Sequence, residues 1–124
     1  MNPYQIIDLL EEGISIKFFD ELVRQSGYSK AVLAEIIGLD VRTISNYKYK
    51  SGFFKNRQAE HLLKLKDLFD KGKEVFGSNE EFARWLATPS YGLDSRIPEK
   101  LLYYISGIEL VSIELQRIKY GDFS

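Results

Sequence analysis

Residues 29–50, SKAVLAEIIGLDVRTISNYKYK, leave the chain few ways to fold around them. Leu33, Ile36 and Ile37 recur at helical spacing and give a first helix an apolar stripe. Ser29 stands before that stripe, where a hydroxyl can accept an orphan backbone N–H. Ala34 falls where two crossing helices need a small side chain, and Gly38 where a tight turn needs a positive φ. Asp40 is placed to cap the next helix. Ile44 and Tyr47 then face back toward Leu33, Ile37 and Leu39, which leaves Val41, Arg42, Thr43, Asn46, Lys48 and Lys50 pointing outward. An outward set that is polar and cationic suits the recognition helix of a helix-turn-helix. A bare αα-hairpin with a glycine turn carries the same spacing and need bind nothing.

Charge supports the nucleic-acid reading through its distribution. The net charge is only −1, yet over 41–66 the cations are Arg42, Lys48, Lys50, Lys55, Arg57, Lys64 and Lys66, against the single acid Glu60. Such a segment attracts phosphate, with an affinity that falls steeply with salt. The first forty residues lean the other way, through Asp8, Glu11, Glu12, Asp20, Glu21, Glu35 and Asp40. The alternative is a solvated surface of mixed charge.

The chain has the length of one ordinary domain, or of two small helical units sharing a core. No apolar run approaches the roughly 20 residues that span a bilayer. The acids of the opening residues do not read as a signal peptide. With no cysteine there is neither disulfide nor thiolate zinc site, as expected of a cytoplasmic protein.

Periodicity and punctuation predict an all-α protein. A helix over 3–12 turns Ile6, Leu9 and Leu10 inward. Ser15 caps a second helix that runs to Gln25, with Ile16, Phe19, Leu22 and Val23 on one face. After the hairpin, Ser51-Gly52-Phe53-Phe54 reads as a loop pinned by its two aromatics. A long helix over 57–75 repeats Leu62, Leu65, Leu68 and Phe69, followed by Phe76. Of the nine glycines, only Gly72 sits inside an apolar run; the others read as breaks between runs. Asn79 caps a short helix with Phe82, Ala83, Trp85 and Leu86, and Thr88-Pro89 stops it. Pro98 suits a first helical turn, and Leu101, Leu102 and Ile105 precede Gly107. A last helix from about Ile108 to Tyr120 aligns Val111, Leu115 and Ile118, and Gly121 ends it.

This combination resembles the Xre/MbcA/ParS family of bacterial antitoxins, from Gly13 onward. In the N-terminal part the resemblance rests on Gly38-Leu39 and Arg42-Thr43-Ile44. In the C-terminal part it rests on Glu74-Val75-Phe76-Gly77, Ala83 with Trp85-Leu86, and Thr88-Pro89. It continues through Leu93, Pro98, Leu101, Gly107, Val111, Arg117-Ile118 and Tyr120-Gly121. The resemblance implies a partner toxin of the RES type, which consumes NAD⁺ and is neutralised when the antitoxin's C-terminal domain covers its active site. It also implies repression of the protein's own operon through the helix-turn-helix. Two departures stand out. Asn46 and Tyr47 occupy positions where relatives often carry arginines, and Asp94-Ser95 stands where a Gly-Gly pair is usual. The expected division is an N-terminal arm over 1–14, a helix-turn-helix domain over 15–70 and a toxin-binding domain over 71–124.

On the recognition helix, Arg42 lies where side chains reach base edges and can grip a guanine bidentately. The alternative for it is a surface ion pair with Glu35 or Asp40. Asn46, one turn later, reads as an adenine or phosphate contact, and Thr43 can make either. Lys48, Lys50 and Lys55 read as backbone contacts or as plain solvated charge. Tyr91, Arg96, Arg117, Lys119 and Tyr120 lie in the loop and tail that similar proteins present to the toxin, where a guanidinium or ammonium can enter an anionic pocket; the alternative for each is ordinary exposed charge. Trp85 reads either as an interface anchor or as a core residue packing on Leu101 and Val111. Of Tyr103 and Tyr104, placed mid-helix, one is expected in the core.

An enzyme is not expected. His61, the only histidine, lies in a basic amphipathic helix with no cysteine or carboxylate motif beside it, which predicts a solvated or half-buried structural role. Glu80-Glu81 complements a helix dipole, and no glycine-rich phosphate loop, GxSxG or HExxH occurs. The expected function is that of an antitoxin acting as a homodimer, by steric cover and without a cofactor. The alternatives are a stand-alone repressor whose C-terminal helices only dimerise, and a scaffold hairpin that never touches DNA.

Overall fold

The computed structural model describes residues 2–50 and 53–121, and the side chains of 2–46 and 54–121. Among the described residues the chain is all-α but for one short ladder. The elements are α1 (Pro3–Glu12), β1 (Ile14–Ser15), α2 (Ile16–Ser26), α3 (Lys30–Ile36), α4 (Val41–Lys50), β2 (Phe53–Phe54), α5 (Asn56–Phe76), α6 (Asn79–Leu86), a 3₁₀ turn (Tyr91–Leu93), α7 (Pro98–Leu101) and α8 (Ile105–Tyr120). They divide into two compact units: the chain up to Arg24 with Tyr28–Leu63, and Gln25–Gly27 with the chain from Lys64 on.

The first unit is built on α2, α3, α4 and the start of α5. Phe19, Leu22, Leu33, Ala34, Ile36, Ile37, Ile44, Ala59 and Leu62 form its core. Ser29 Oγ accepts the Val32 N–H at 3.1 Å and starts α3. The turn into α4 is a Schellman motif: the Leu39 N–H reaches the Ala34 carbonyl at 2.9 Å, and the Gly38 N–H reaches Glu35 at 3.0 Å. Gly38 sits at φ +83°, a conformation that costs glycine little. Ser15 Oγ accepts the Phe18 N–H at 3.3 Å, as a cap of α2 should.

Three expectations for this unit are corrected, and a fourth lies out of reach. The loop over 51–54 ends in β2, which pairs antiparallel with β1 in the register Ile14 to Phe54 and Ser15 to Phe53. Phe54 is buried and stacks on Phe19 at 5.4 Å, and the ladder satisfies backbone groups that such burial would otherwise leave unpaired. Helix α1 forms over the expected residues, closed by a full capping box between Asn2 and Gln5, but none of its residues is buried. Ile6 lies exposed, and Leu9 and Leu10 are only half-buried. His61 is buried at 5% exposure, on the core side of α5 beside Leu62. The side chain of Tyr47, expected to face inward, falls outside the described residues.

The second unit is held by an aromatic cluster. Phe82 meets Phe69 edge-on at 5.2 Å and stacks on Phe76 and on Trp85, each at 6.0 Å. Trp85 also lies 5.5 Å from Phe76. Trp85 is thus half-buried on rings of α5 and α6. Gly72 makes the cluster possible, because a Cβ built there falls on the Phe82 ring. Leu65, Leu68, Leu86, Leu93, Leu102, Ile108, Val111 and Leu115 complete the core.

Three boundaries shift here. Ser78, not Asn79, caps α6, its Oγ accepting the Glu81 N–H at 3.1 Å. Helix α8 begins at Ile105, so Gly107 lies inside it rather than before it. A Cβ on Gly107 would strike the Leu101 carbonyl, so this glycine serves a close approach and not a chain break. Tyr103 and Tyr104 lie in the turn between α7 and α8, and both are exposed. The stop of α6 before Thr88-Pro89, Pro98 at the head of α7 and the left-handed Gly121 cap all stand as expected.

Two stability changes follow. Gly72→Ala should cost a net 1–2 kcal/mol, about what overpacking a filled core costs after the gain in helix propensity. Asp94 and Ser95 both adopt left-handed backbone, with φ 58° and 60°. Serine tolerates this worse than aspartate, so Ser95→Gly should stabilise the protein by about 0.5–1 kcal/mol. Urea unfolding followed by circular dichroism reads both.

Candidate nucleic-acid and protein interfaces

Helix α4 takes its direction from the Gly38 turn and its start from Asp40. The Asp40 Oδ1 accepts the Arg42 backbone N–H at 2.8 Å. The same carboxylate holds the Arg42 guanidinium, with Nε 3.2 Å from Oδ1 and Nη2 3.2 Å from Oδ2. The Arg42 hydrogen bond keeps the Asp40 carboxyl below its ordinary titration range. Of the two partners expected for an ion pair, Asp40 is therefore the one engaged, while the Arg42 side chain stays 88% exposed.

With Ile44 buried, the opposite side of α4 presents Arg42 and Asn46, both exposed, and Thr43 at its half-buried edge. Lys48 and Lys50 continue the helix, but their side chains lie outside the described residues. Lys55 is exposed just after β2, and Arg57 is exposed at the start of α5. Two other cations of the basic segment are already partnered. Lys64 faces Glu109 at 3.7 Å, and Lys66 donates to Asp70 at 2.8 Å and to Gln25 at 2.7 Å. The cationic surface is narrower than the count of lysines suggests.

In the second unit, the residues singled out from the sequence fall into separate groups. Tyr91 is 94% exposed on the 3₁₀ turn. Its neighbour Gly92 is pressed against the Glu114 carboxylate, leaving no room for a Cβ. Glu114 in turn receives Arg117 at 3.3 Å, so the turn and Arg117 meet through one carboxylate. Lys119 lies on another side of α8, donating to Glu74 of α5 at 2.7 Å, with its ammonium 5.7 Å from the Tyr120 ring centre. The Lys119 hydrogen bond holds the Glu74 carboxyl below its ordinary range. A small groove of about 130 Å³ opens there, lined by Lys71, Glu74, Val75, Leu115, Gln116, Lys119 and Tyr120. Arg96 is exposed, its backbone bridged to Ser90, and no described contact joins it to Arg117.

Two residues of this surface are absent from the sequence-based expectations. Leu110 and Ile113 lie 52% and 49% exposed on α8. With Arg117 and Tyr120 they recur at spacings of three and four, so they share the face opposite Val111 and Leu115. A signal for them exists: α8 has two apolar stripes, and the buried one masks the other.

No helix among the described residues is long and apolar enough to cross a membrane, and no cluster of potential metal ligands occurs among them.

Comparison with known proteins agrees with this architecture. The family model of the antitoxin Xre-like helix-turn-helix domain matches residues 5–65. That of the antitoxin Xre/MbcA/ParS C-terminal toxin-binding domain matches residues 71–121. A protein named Antitoxin Xre from Yersinia enterocolitica is 25% identical over 120 residues, covering 96% of this chain and 81% of that protein. Another Antitoxin Xre, from Photorhabdus laumondii, is 26% identical over 117 residues, covering 94% of this chain and 79% of the relative. A chain from the crystal structure of the M. tuberculosis MbcT–MbcA toxin–antitoxin complex shares the fold, with a TM-score of 0.67 at 16% identity, over 86% of this chain and 95% of its own. The protein belongs to the Xre/MbcA/ParS family of antitoxins, an Xre-like helix-turn-helix domain followed by a C-terminal domain of the toxin-binding type.

Proposed function

We propose that this chain neutralises a cognate RES-type, NAD⁺-consuming toxin by covering its active site, and represses its own operon through α4. The observation that carries the reading is that one chain turns two unlike faces to solvent. One is polar and cationic, with Arg42 and Asn46 on α4. The other is an apolar seam with an arginine, Leu110, Ile113, Arg117 and Tyr120 on α8. Exposed apolar residues aligned on one face mark a surface that a partner covers.

In this reading residues 15–70 bind DNA, 71–124 bind the toxin and 1–14 form an arm. Arg42, Thr43 and Asn46 meet base edges, while Lys48, Lys50 and Lys55 meet phosphates. The protein acts in the cytoplasm as a homodimer, because paired helix-turn-helices meet half-sites about 34 Å apart. Tyr91, Arg96, Arg117, Lys119 and Tyr120 approach the toxin, with Leu110 and Ile113 as the apolar centre of the contact. The M. tuberculosis toxin–antitoxin complex, which contains a chain of this fold, supports the reading. Inhibition is steric and takes no cofactor. The α8 seam also fits the second reading, a repressor whose C-terminal helices only dimerise.

Co-expression with the product of the neighbouring reading frame separates the two. The antitoxin reading expects the two proteins to co-purify and the toxicity of the neighbour to be relieved. Ile113→Asp should weaken that complex by about 10-fold or more, the effect of spoiling an interface centre. Its stability should stay within about 0.5 kcal/mol, because the side chain is half exposed. A neighbour that is harmless alone, or that never co-purifies, leaves the repressor. For the other face, gel shifts on the upstream promoter should show Arg42→Ala binding more weakly and losing preference at one base pair. Lys55→Ala should weaken all sequences alike and lower the salt slope by about 1. Equal binding by Arg42→Ala removes it from the contact set.

A further inference from the structure

We propose that Asp40 is the positioning residue that turns Arg42 into a reader of one guanine. The inference rests on the DNA-binding reading above and adds to it the origin of discrimination.

A guanidinium carries five N–H donors in a rigid plane, and they form two usable edges. One edge joins Nε to Nη2, and the other joins Nη2 to Nη1. Asp40 occupies the first edge, with Oδ1 on Nε and Oδ2 on Nη2, both at 3.2 Å. The carboxylate is itself anchored, since Oδ1 also accepts the Arg42 backbone N–H at 2.8 Å. The second edge bears no hydrogen bond among the described residues, on a side chain 88% exposed. That free edge is a pair of parallel donors, the pattern that guanine O6 and N7 accept in the major groove.

The arrangement follows from where the two residues stand. Asp40 is the N-cap of α4 and Arg42 its second residue, so one carboxylate can serve the backbone and the guanidinium together. A free arginine loses rotamer freedom when it binds, whereas a clamped one has lost much of it beforehand. The clamp has a second effect. A carboxylate at the groove repels phosphate and disfavours sequences where Arg42 finds no guanine to offset it. Asp40 thus lowers general affinity and raises discrimination at one base pair.

Asp40→Asn tests this cleanly. The amide oxygen still accepts the Arg42 N–H, so the cap persists, but the charged clamp is gone. Duplexes selected by the wild-type protein from a randomised pool serve as probe, each also prepared with single guanines replaced. The wild type should discriminate against replacement of one guanine by about 10-fold, and Arg42→Ala should abolish this. Asp40→Asn should lose most of that discrimination at the same position. It should bind the replaced duplexes at least as tightly as the wild type, with unchanged thermal unfolding. A purely structural role for Asp40 would instead lower stability and affinity on every duplex together. If wild type and Asp40→Asn discriminate equally, or Arg42→Ala keeps the preference, the assignment is wrong while DNA binding stands. If the wild type enriches no sequence, the DNA-binding reading falls and takes the assignment with it.

Discussion

The first unit depends on the direction that the Gly38 turn gives to α4. Two backbone hydrogen bonds close α3 at that turn, from Gly38 to Glu35 and from Leu39 to Ala34. They fix the angle at which the chain leaves, and a β-carbon at φ +83° would oppose that angle. Once the angle is set, burying Ile44 against α3 decides which residues of α4 remain outside. The outward position of Arg42 and Asn46 is therefore a consequence of packing and turn geometry, settled before any ligand is involved.

The second unit uses absent side chains in a similar way. Gly72 admits the Phe82 ring, Gly107 admits the Leu101 carbonyl, and Gly92 admits the Glu114 carboxylate. The last of these places a charged group at 9% exposure and ties the exposed 3₁₀ turn to α8. Arg117, which pairs with that carboxylate, is steadied on the outer surface without being buried itself.

Much of this is legible in the residues. The helix-turn-helix, the cap at Ser29, the turn at Gly38 and the stop before Pro89 each depend on local rules, and each appears where those rules put it. What the sequence hides depends on contacts between distant segments. The ladder of Ile14 with Phe54 spans some forty residues, and a two-residue strand carries no alternation to detect. Gly107 reads as a break because nothing local distinguishes a stop from a close approach. Leu110 and Ile113 stay hidden because α8 is apolar on two sides, and one stripe already accounts for the core. For Arg42 the sequence offers two ion-pair partners, and the cap geometry of Asp40 selects between them.

Helix α1 is held by terms of a different kind. Its capping box and its proline at the first position are purely local, and no side chain of it enters the core. A ten-residue helix supported in this way is marginal in water. Its amides should accordingly be among the first to exchange with deuterium, while the helices behind Phe19 and Leu33 stay protected. This also makes α1 the helix whose substitution disturbs the core least, since none of its side chains enters it.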